Sequence, residues 1–310
     1  MLTIYRSTET GLATLSDIIP GCWISAIEPT TDEIEQIHHL GIPRDFLTYP
    51  LDLDERPRTE REDDGSMLII LRVPYYEGPK VDVPYTTVPL GIIITEKYIV
   101  TVCRRPNEAI QELTSGRIRG LSTVKRNRFI LRMLLLTASR YLENLRQINR
   151  TVEALEDQCQ GSIRNREMLE LLKYQKSLVY FTTALKGNQL MMERLQRSQL
   201  FHMYPDDEDL LEDVITENQQ ALEMVNISSS ILTSMMDAFA SLISNNLNEV
   251  MKFLASITII LSIPTIVTSF FGMNIPLPWE NNGLAPVYIF GVFLLLSIGV
   301  VLLFRRRDWL

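Results

Sequence analysis

Cysteine is scarce. The chain of 310 residues holds three, Cys22, Cys103 and Cys159, far apart and with no CxxC pair. They read as free cytosolic thiols rather than as a disulfide framework. Histidine is equally sparse. His38, His39 and His202 show no metal-ligand spacing, and the adjacent pair reads as exposed helix residues. A basic excess is missing too. The formal net charge is −8, which argues against nucleic acid as a partner. No GxxxxGK(S/T) phosphate cradle occurs, so coupling to ATP has no support. No grouping of nucleophile, base and orienting residue points to an enzyme or to an organic cofactor. The first residues, MLTIYRSTETGLATLSD, lack a basic segment followed by an apolar one, so neither a signal peptide nor a transit peptide is expected.

Charge is missing from two long runs near the C-terminus. Phe253 to Phe271 is nineteen uncharged residues and Val287 to Phe304 is eighteen. Roughly 20 apolar residues span a bilayer core as a helix, so two transmembrane helices are expected. Lys252 precedes the first, Arg305, Arg306 and Arg307 follow the second, and the segment between them has no Lys or Arg. The positive-inside rule then puts both termini in the cytoplasm of a multi-pass protein of the cell (inner) membrane.

Glycine and proline are missing from long stretches upstream. Val124 to Gln160 has neither, Ser162 to Tyr204 has only Gly187, and Asp206 to Ile263 again has neither. The first two read as long antiparallel helices. The third carries Leu211, Val214, Ile215, Leu222, Val225, Ile231, Met235, Phe239, Leu242, Leu247 and Val250 mostly at three- or four-residue steps. It predicts one helix from about Asp206 to Phe271, with Asp206 or Asp207 as its cap. Such a stalk needs partners for its apolar stripe, which implies a homo-oligomer. Residues 1 to about 120 read as mixed α/β. Strands are expected at 2–5, 22–27, 67–73, 90–95 and 98–103, and a short helix is capped by Thr30 or Thr31. The layout is therefore an α+β membrane protein. A cytoplasmic α/β domain spans 1–120, a long helical pair 121–204 and a stalk 205–252. A first span follows at 253–271, an outer loop at 272–286, a second span at 287–304 and a basic tail at 305–310.

The first span carries a polar stripe. Thr258, Ser262, Thr265 and Ser269 follow steps of four, three and four, which places them on one helix face. Met251 and either Leu254 or Ala255 extend that face. Two readings fit: ordinary helix–helix packing, or the lining of a pore in which each hydroxyl becomes a ring. The second span has Ser297 as its interior polar residue, with Gly291 and Gly299, and reads as the lipid-facing member. Asn274 lies just past the striped helix. A ring of such amides offers neutral oxygens to the waters of a hydrated cation, and magnesium keeps several of its waters. Gly272 allows an unusual backbone angle or a close approach there. The plainer reading of Gly-x-Asn is a helix C-cap followed by a turn.

Gly272-Met273-Asn274 between two C-terminal spans resembles the signature of the CorA family of divalent-cation transporters. So do "SNNLNEVMKFLASITI" at 244–259 and the closing "FRRRDWL" at 304–310. The resemblance implies a funnel-shaped homopentamer whose first span lines the pore. Gly272, Met273 and Asn274 would form the outer selectivity ring, with Asn274 the first contact for hydrated Mg2+. Thr265, Leu254 and Met251 match pore positions below it. Asn248, Asn245 and Asp237 match the cytoplasmic neck, and Lys252 with Arg305, Arg306 and Arg307 form a basic ring. Ser262 stands where a bulkier apolar residue is usual, Pro264 is displaced by one residue, and "IPLPWENN" replaces the usual outer loop, with Glu280 its only acid. Members of the family close when cytoplasmic Mg2+ binds carboxylates between neighbouring domains. Asp213 matches one such position, and Glu77 or Asp82 is its expected partner.

The expected function is passive transport of Mg2+, with Co2+ or Ni2+ as further cargo, driven by the membrane potential and gated by cytoplasmic Mg2+. Two alternatives remain at this level: a zinc-type, proton-coupled member of the same superfamily, favoured less because Met273 fills the middle of the triplet, and a membrane-anchored coiled sensor or tether.

Overall fold

The computed structural model describes residues 1–8, 11–115, 118, 121–159, 165–197, 204–273, 284–307 and 309. The chain divides into two compact units, Met1–Met235 and Met236–Leu310.

The first unit is built on a seven-stranded sheet. Its strands are β1 (Leu2–Thr8), β2 (Gly11–Leu15), β3 (Trp23–Ile27), β4 (Arg58–Arg61), β5 (Met67–Tyr76), β6 (Tyr85–Ile94) and β7 (Ile99–Cys103). They lie in the order β2-β1-β3-β7-β6-β5-β4. Only β3 and β7 run parallel; every other pair is antiparallel.

The apolar run of β5 explains the layers. Met67, Ile69, Leu71 and Val73 point into one core and Leu68 and Ile70 into the other, the mark of a strand buried on both faces. The second core is closed by two short helices, α1 (Thr31–His38) and α2 (Arg44–Thr48), through Ile34, Ile37, Phe46 and Leu47. The first core is closed by α3 (Glu108–Thr114), α4 (Arg126–Cys159), α5 (Asn165–Arg197) and the start of α6 (Pro205–Phe271). Leu210, Leu211 and Val214 of α6 belong to it.

Local chemistry sets the helix ends. Thr30 caps α1 with a full capping box: its hydroxyl accepts from Glu33 N–H at 3.3 Å, and Glu33 Oε2 accepts from Thr30 N–H at 2.9 Å. The helices α4 and α5 are antiparallel, since Tyr141 meets Phe181 edge-on at 5.0 Å while Thr151 meets Tyr174 further along. Gly187, the one glycine of α5, lets the helix approach Pro57. A Cβ there would stand 2.9 Å from the Pro57 Cγ.

The second unit holds the rest of α6 together with α7 (Ala285–Arg306). Both helices are long and apolar enough to cross a membrane. Pro264 sits inside α6 without ending it, although an interior proline deletes one backbone hydrogen bond.

Several expectations are refined. The strand pattern missed β2 and β4, which are edge strands of polar or charged sequence (GLATL and RTER). It also missed α2 and α3. The long helix begins at Pro205 rather than at a capping aspartate. Asp206 and Asp207 fall in its first turn and both bind Arg128 of α4, at 3.2 and 2.9 Å. Cys22 and Cys103 are buried and free. Burial pushes the Cys103 thiol up to about 12, which makes it unreactive. His38 and His39 are exposed on or beside α1, as expected. His202 lies outside the described residues.

Gly91 in β6 is a tight spot, because a Cβ added there would lie 2.2 Å from the Pro50 Cγ. A proline ring cannot swing aside. Gly91→Ala is expected to destabilise the protein by about 1–3 kcal/mol through overpacking, read as a lowered midpoint in thermal unfolding of the purified chain. An unchanged midpoint would mean that the 49–51 turn yields freely.

Candidate functional site

The candidate site is one face of α6. Because the helix runs without a break through its apolar segment, residues far apart in sequence share a stripe. Asp237, Ser241, Ser244, Asn248, Met251, Ala255, Thr258, Ser262, Thr265 and Ser269 alternate steps of four and three along it. Ser241 and Ser244 are additions to the sequence reading. The signal that would have found them was the unbroken step pattern upstream of Met251. Leu254 and Asn245 flank the stripe. All of these except half-buried Ser262 are exposed in the single chain.

The hydroxyls of the stripe have a common geometry. Thr258 Oγ1 donates to Leu254 O at 2.8 Å, Ser262 Oγ to Thr258 O at 2.7 Å, and Thr265 Oγ1 to Leu261 O at 3.1 Å. Each proton is thus spent on the helix's own carbonyl one turn back. What remains on each oxygen is acceptor capacity, since a hydroxyl has one donor and two lone pairs. A face of neutral acceptors can receive hydrogen bonds from water around a cation, and from Ser241 to Ser269 the stripe carries no fixed charge that would hold an ion tightly.

At the end of the helix, Gly272 keeps an ordinary backbone angle and its N–H donates to Thr268 O at 2.9 Å. The space around it is tight only toward the preceding turn of its own helix. A Cβ would sit 3.1 Å from the Thr268 carbonyl oxygen. Met273 follows and is exposed. Asn274 and Glu280 lie outside the described residues.

The basic residues collect at the other end of the spans. Arg305 and Arg306 occupy the last turn of α7, where the helix dipole favours positive charge. With Arg307 and Lys252 they are exposed and make no ion pair among the described residues. Beyond them the tail turns back on α6. The Trp309 N–H donates to Phe304 O at 3.0 Å and its ring stacks on Phe304 at 5.5 Å. Its carbonyl accepts from Ser256 Oγ at 3.4 Å, and that hydroxyl also bonds Lys252 O at 2.8 Å. Ser256 is fully buried. Trp309 joins Asn245, Asn248, Met251 and Lys252 around a cavity of 570 Å³. Neither Ser256 nor this contact was anticipated.

The candidate regulatory carboxylates are not joined within the chain. Asp213 is exposed on α6 and has no ion-pair partner among the described residues. Glu77 is paired with Arg105, and Asp82 with Lys176 at 2.6 Å. Among the described residues no group of three or more His, Cys, Asp or Glu could hold a metal ion. Of the acids Asp206, Asp207, Glu208, Asp209, Glu212 and Asp213, two share the single positive charge of Arg128.

Comparisons with known proteins bear on this arrangement. The profile of the family described as CorA-like Mg2+ transporter protein matches residues 21–306. The chain is 29% identical over 299 residues to the cobalt/magnesium transport protein CorA of Methanocaldococcus jannaschii, covering 93% of this chain and 91% of that one. It is 24% identical to the cobalt/magnesium transport protein CorA of Thermotoga maritima, covering 90% and 80%. The solved complete structure of the CorA magnesium transporter from M. jannaschii superposes with a TM-score of 0.87 at 26% identity, covering 100% of this chain and 99% of that one.

The tail contact makes a prediction. Trp309→Ala removes the ring that stacks on Phe304, so trypsin should cleave faster after Arg305, Arg306 and Arg307, followed by mass spectrometry of the released C-terminal peptides. Equal cleavage rates in the variant and the parent would show that the contact does not hold the tail.

Proposed function

The chain belongs to the CorA-like Mg2+ transporter family, whose members are transporters rather than enzymes, and from that premise we propose that it forms a passive, membrane-potential-driven channel for hydrated Mg2+, with Co2+ as a second cargo. The names of its relatives favour these two ions. The observation that carries the reading is the stripe of neutral acceptor oxygens on α6.

In this reading five copies surround one axis, and the α6 stripe of each faces it. A large share of the stalk and span is apolar yet exposed in the single chain, including Leu247, Val250, Phe253 and Leu254. Such surface calls for neighbouring copies or lipid. Asn274, with Gly272 and Met273, forms the outer ring, where amide oxygens bond the waters of the ion without stripping them. Below it, Ser269, Thr265, Ser262 and Thr258 pass the hydrated ion along, and Leu254 and Met251 form the apolar narrowing. Asn248, Asn245 and Asp237 line the exit, ringed by Lys252 and Arg305–Arg307. Both termini are cytoplasmic in a cell (inner) membrane. A divalent ion gains about 4.6 kcal/mol across about 100 mV, enough to drive uptake without ATP.

Closure is by cytoplasmic Mg2+ between neighbouring copies, with Asp213 as one ligand. Glu77 or Asp82 supplies the other, after release from Arg105 or Lys176. The ion acts as an effector because it binds the closed state better than the open one.

Two outcomes are expected. Asn274→Ala should reduce Mg2+ uptake into proteoliposomes to background while native mass in detergent still gives five copies; parental flux from a correctly assembled variant removes Asn274 from the selectivity ring. Asp213→Lys should abolish the rise in protease protection of the cytoplasmic unit during a Mg2+ titration. The same midpoint in variant and parent would place the regulatory ion elsewhere.

A further inference from the structure

A cavity lies in the first unit, on the face of α5 that meets the segment before β4. The cavity there has a volume of 690 Å³, within the roughly 300–1,000 Å³ usual for small-molecule sites. Three guanidinium groups line it, those of Arg56, Arg72 and Arg194, against the single carboxylate of Asp54. The local charge is thus opposite in sign to that of the whole chain, which is −8.

Arg72 is the unusual member. Its Nε donates to Thr87 Oγ1 at 2.8 Å, one Nη to Leu53 O and Glu55 O at 2.9 and 3.0 Å, and the other Nη to Thr87 O at 2.6 Å. Every partner is neutral, and one of its five N–H donors is left over. Desolvation by burial pushes its pKa down, with Asp54 opposing only through space. A guanidinium does not give up its proton near neutral pH. The result is a half-buried cation with no anion bonded to it, and a charge drawn partly out of water normally finds an opposite one. Arg56 and Arg194 also have no ion-pair partner among the described residues. The remaining wall is different in kind. Tyr180 is half-exposed, and it shares the lining with Leu190 and Met191.

We infer that this cavity binds a soluble phosphate-bearing compound of nucleotide size, its phosphates held by Arg56, Arg72 and Arg194 and its planar ring resting on Tyr180. The guanidinium fork matches phosphate oxygens in pairs. A phosphate supplies the counter-charge that Arg72 lacks, while the three guanidinium groups repel the Mg2+ that the α6 stripe would pass. An aromatic and apolar wall beside a cationic one suits a molecule with a flat ring at one end and phosphate at the other. The site does not depend on the transport reading, since none of its residues lies on α6.

The test is isothermal titration of the full-length chain in detergent and metal-free buffer with ADP, adenosine and succinate. ADP should bind, and adenosine and succinate should bind at least about tenfold more weakly, as expected for loss of one or more charge-assisted bonds. Arg56→Ala and Arg194→Ala remove exposed side chains that hold nothing else together, and each should weaken ADP by about tenfold. Tyr180→Ala should weaken ADP while leaving inorganic pyrophosphate unchanged. The inference fails if ADP gives no binding heat with the parent protein, if both arginine variants bind ADP as tightly as the parent, or if adenosine or succinate matches ADP. Displacement of ADP by phosphatidylglycerol added to the micelles would also overturn it, by assigning the arginines to a lipid headgroup.

Discussion

An apolar helix face in water must be covered, and along α6 the cover runs out. Leu211, Val214, Asn218, Ala221, Val225, Ser228 and Leu232 are buried at alternating three- and four-residue steps, and Phe239 follows two turns on, the pattern that one helix face requires. After Phe239 the pattern stops. Leu242, Leu247, Val250, Phe253 and Leu254 are as apolar as the residues before them, yet they are exposed. What changes at this point is what lies beside the helix. At Leu210, Leu211 and Val214 the helix is one wall of a core closed by the sheet. The later part has only α7 in its own unit, and α7 is itself apolar and largely exposed. Membership of a transporter family accounts for that exposure through lipid, and the proposed ring of copies accounts for the part of α6 that precedes the span.

The same helix separates two kinds of polar chemistry. Within the span, hydroxyl protons go to carbonyls one turn back. This satisfies the donors that would be costly in an apolar setting and leaves acceptors outward. At the N-terminal end, carboxylates sit in the first turn, where the helix dipole favours them, and Arg128 fastens two of them to α4. Positive charge instead gathers after α7. A helix face of neutral oxygens has no deep well for a cation, and ions that must leave the proposed pathway need binding weak enough to release them.

Much of this was legible from residues alone, and the reasons differ by element. The two spans and the long helix were legible because absence of charge, glycine and proline is a strong local constraint that tertiary contacts rarely override. The capping box at Thr30 and Glu33 was visible in part, since spacing fixes it. The strands β2 and β4 were not, because an edge strand needs one paired side and tolerates the polar sequences GLATL and RTER. Arg72 was invisible for a deeper reason. In sequence it is a charge interrupting the apolar run "MLIILRV", and only the fold shows that the carbonyls of Leu53, Glu55 and Thr87 surround it. Ser256 and Trp309 are fifty-three positions apart, and no local pattern links them. The polar stripe lies between these cases. Its spacing was readable in the span, but its extension through Ser241 and Ser244 required knowing that the helix continues unbroken.

Ser262 carries the last step. The resemblance to the family placed a bulkier apolar residue at this pore position, and here a hydroxyl takes it. Ser262 Oγ donates to Thr258 O at 2.7 Å, so the substitution adds an acceptor to the stripe without adding an unpaired donor. Two turns of helix from Thr258 to Thr265 then present hydroxyl oxygens at every step on the proposed pore face, where an apolar residue would have interrupted them. An apolar ring constricts by repelling water, whereas a hydroxyl ring stays wet. A hydrated divalent ion loses solvation wherever its waters lose partners, and magnesium gives up water reluctantly. In the proposed pore the mid-span is therefore better matched to passing the ion with its shell intact, and Leu254 and Met251 are the apolar positions left to close it.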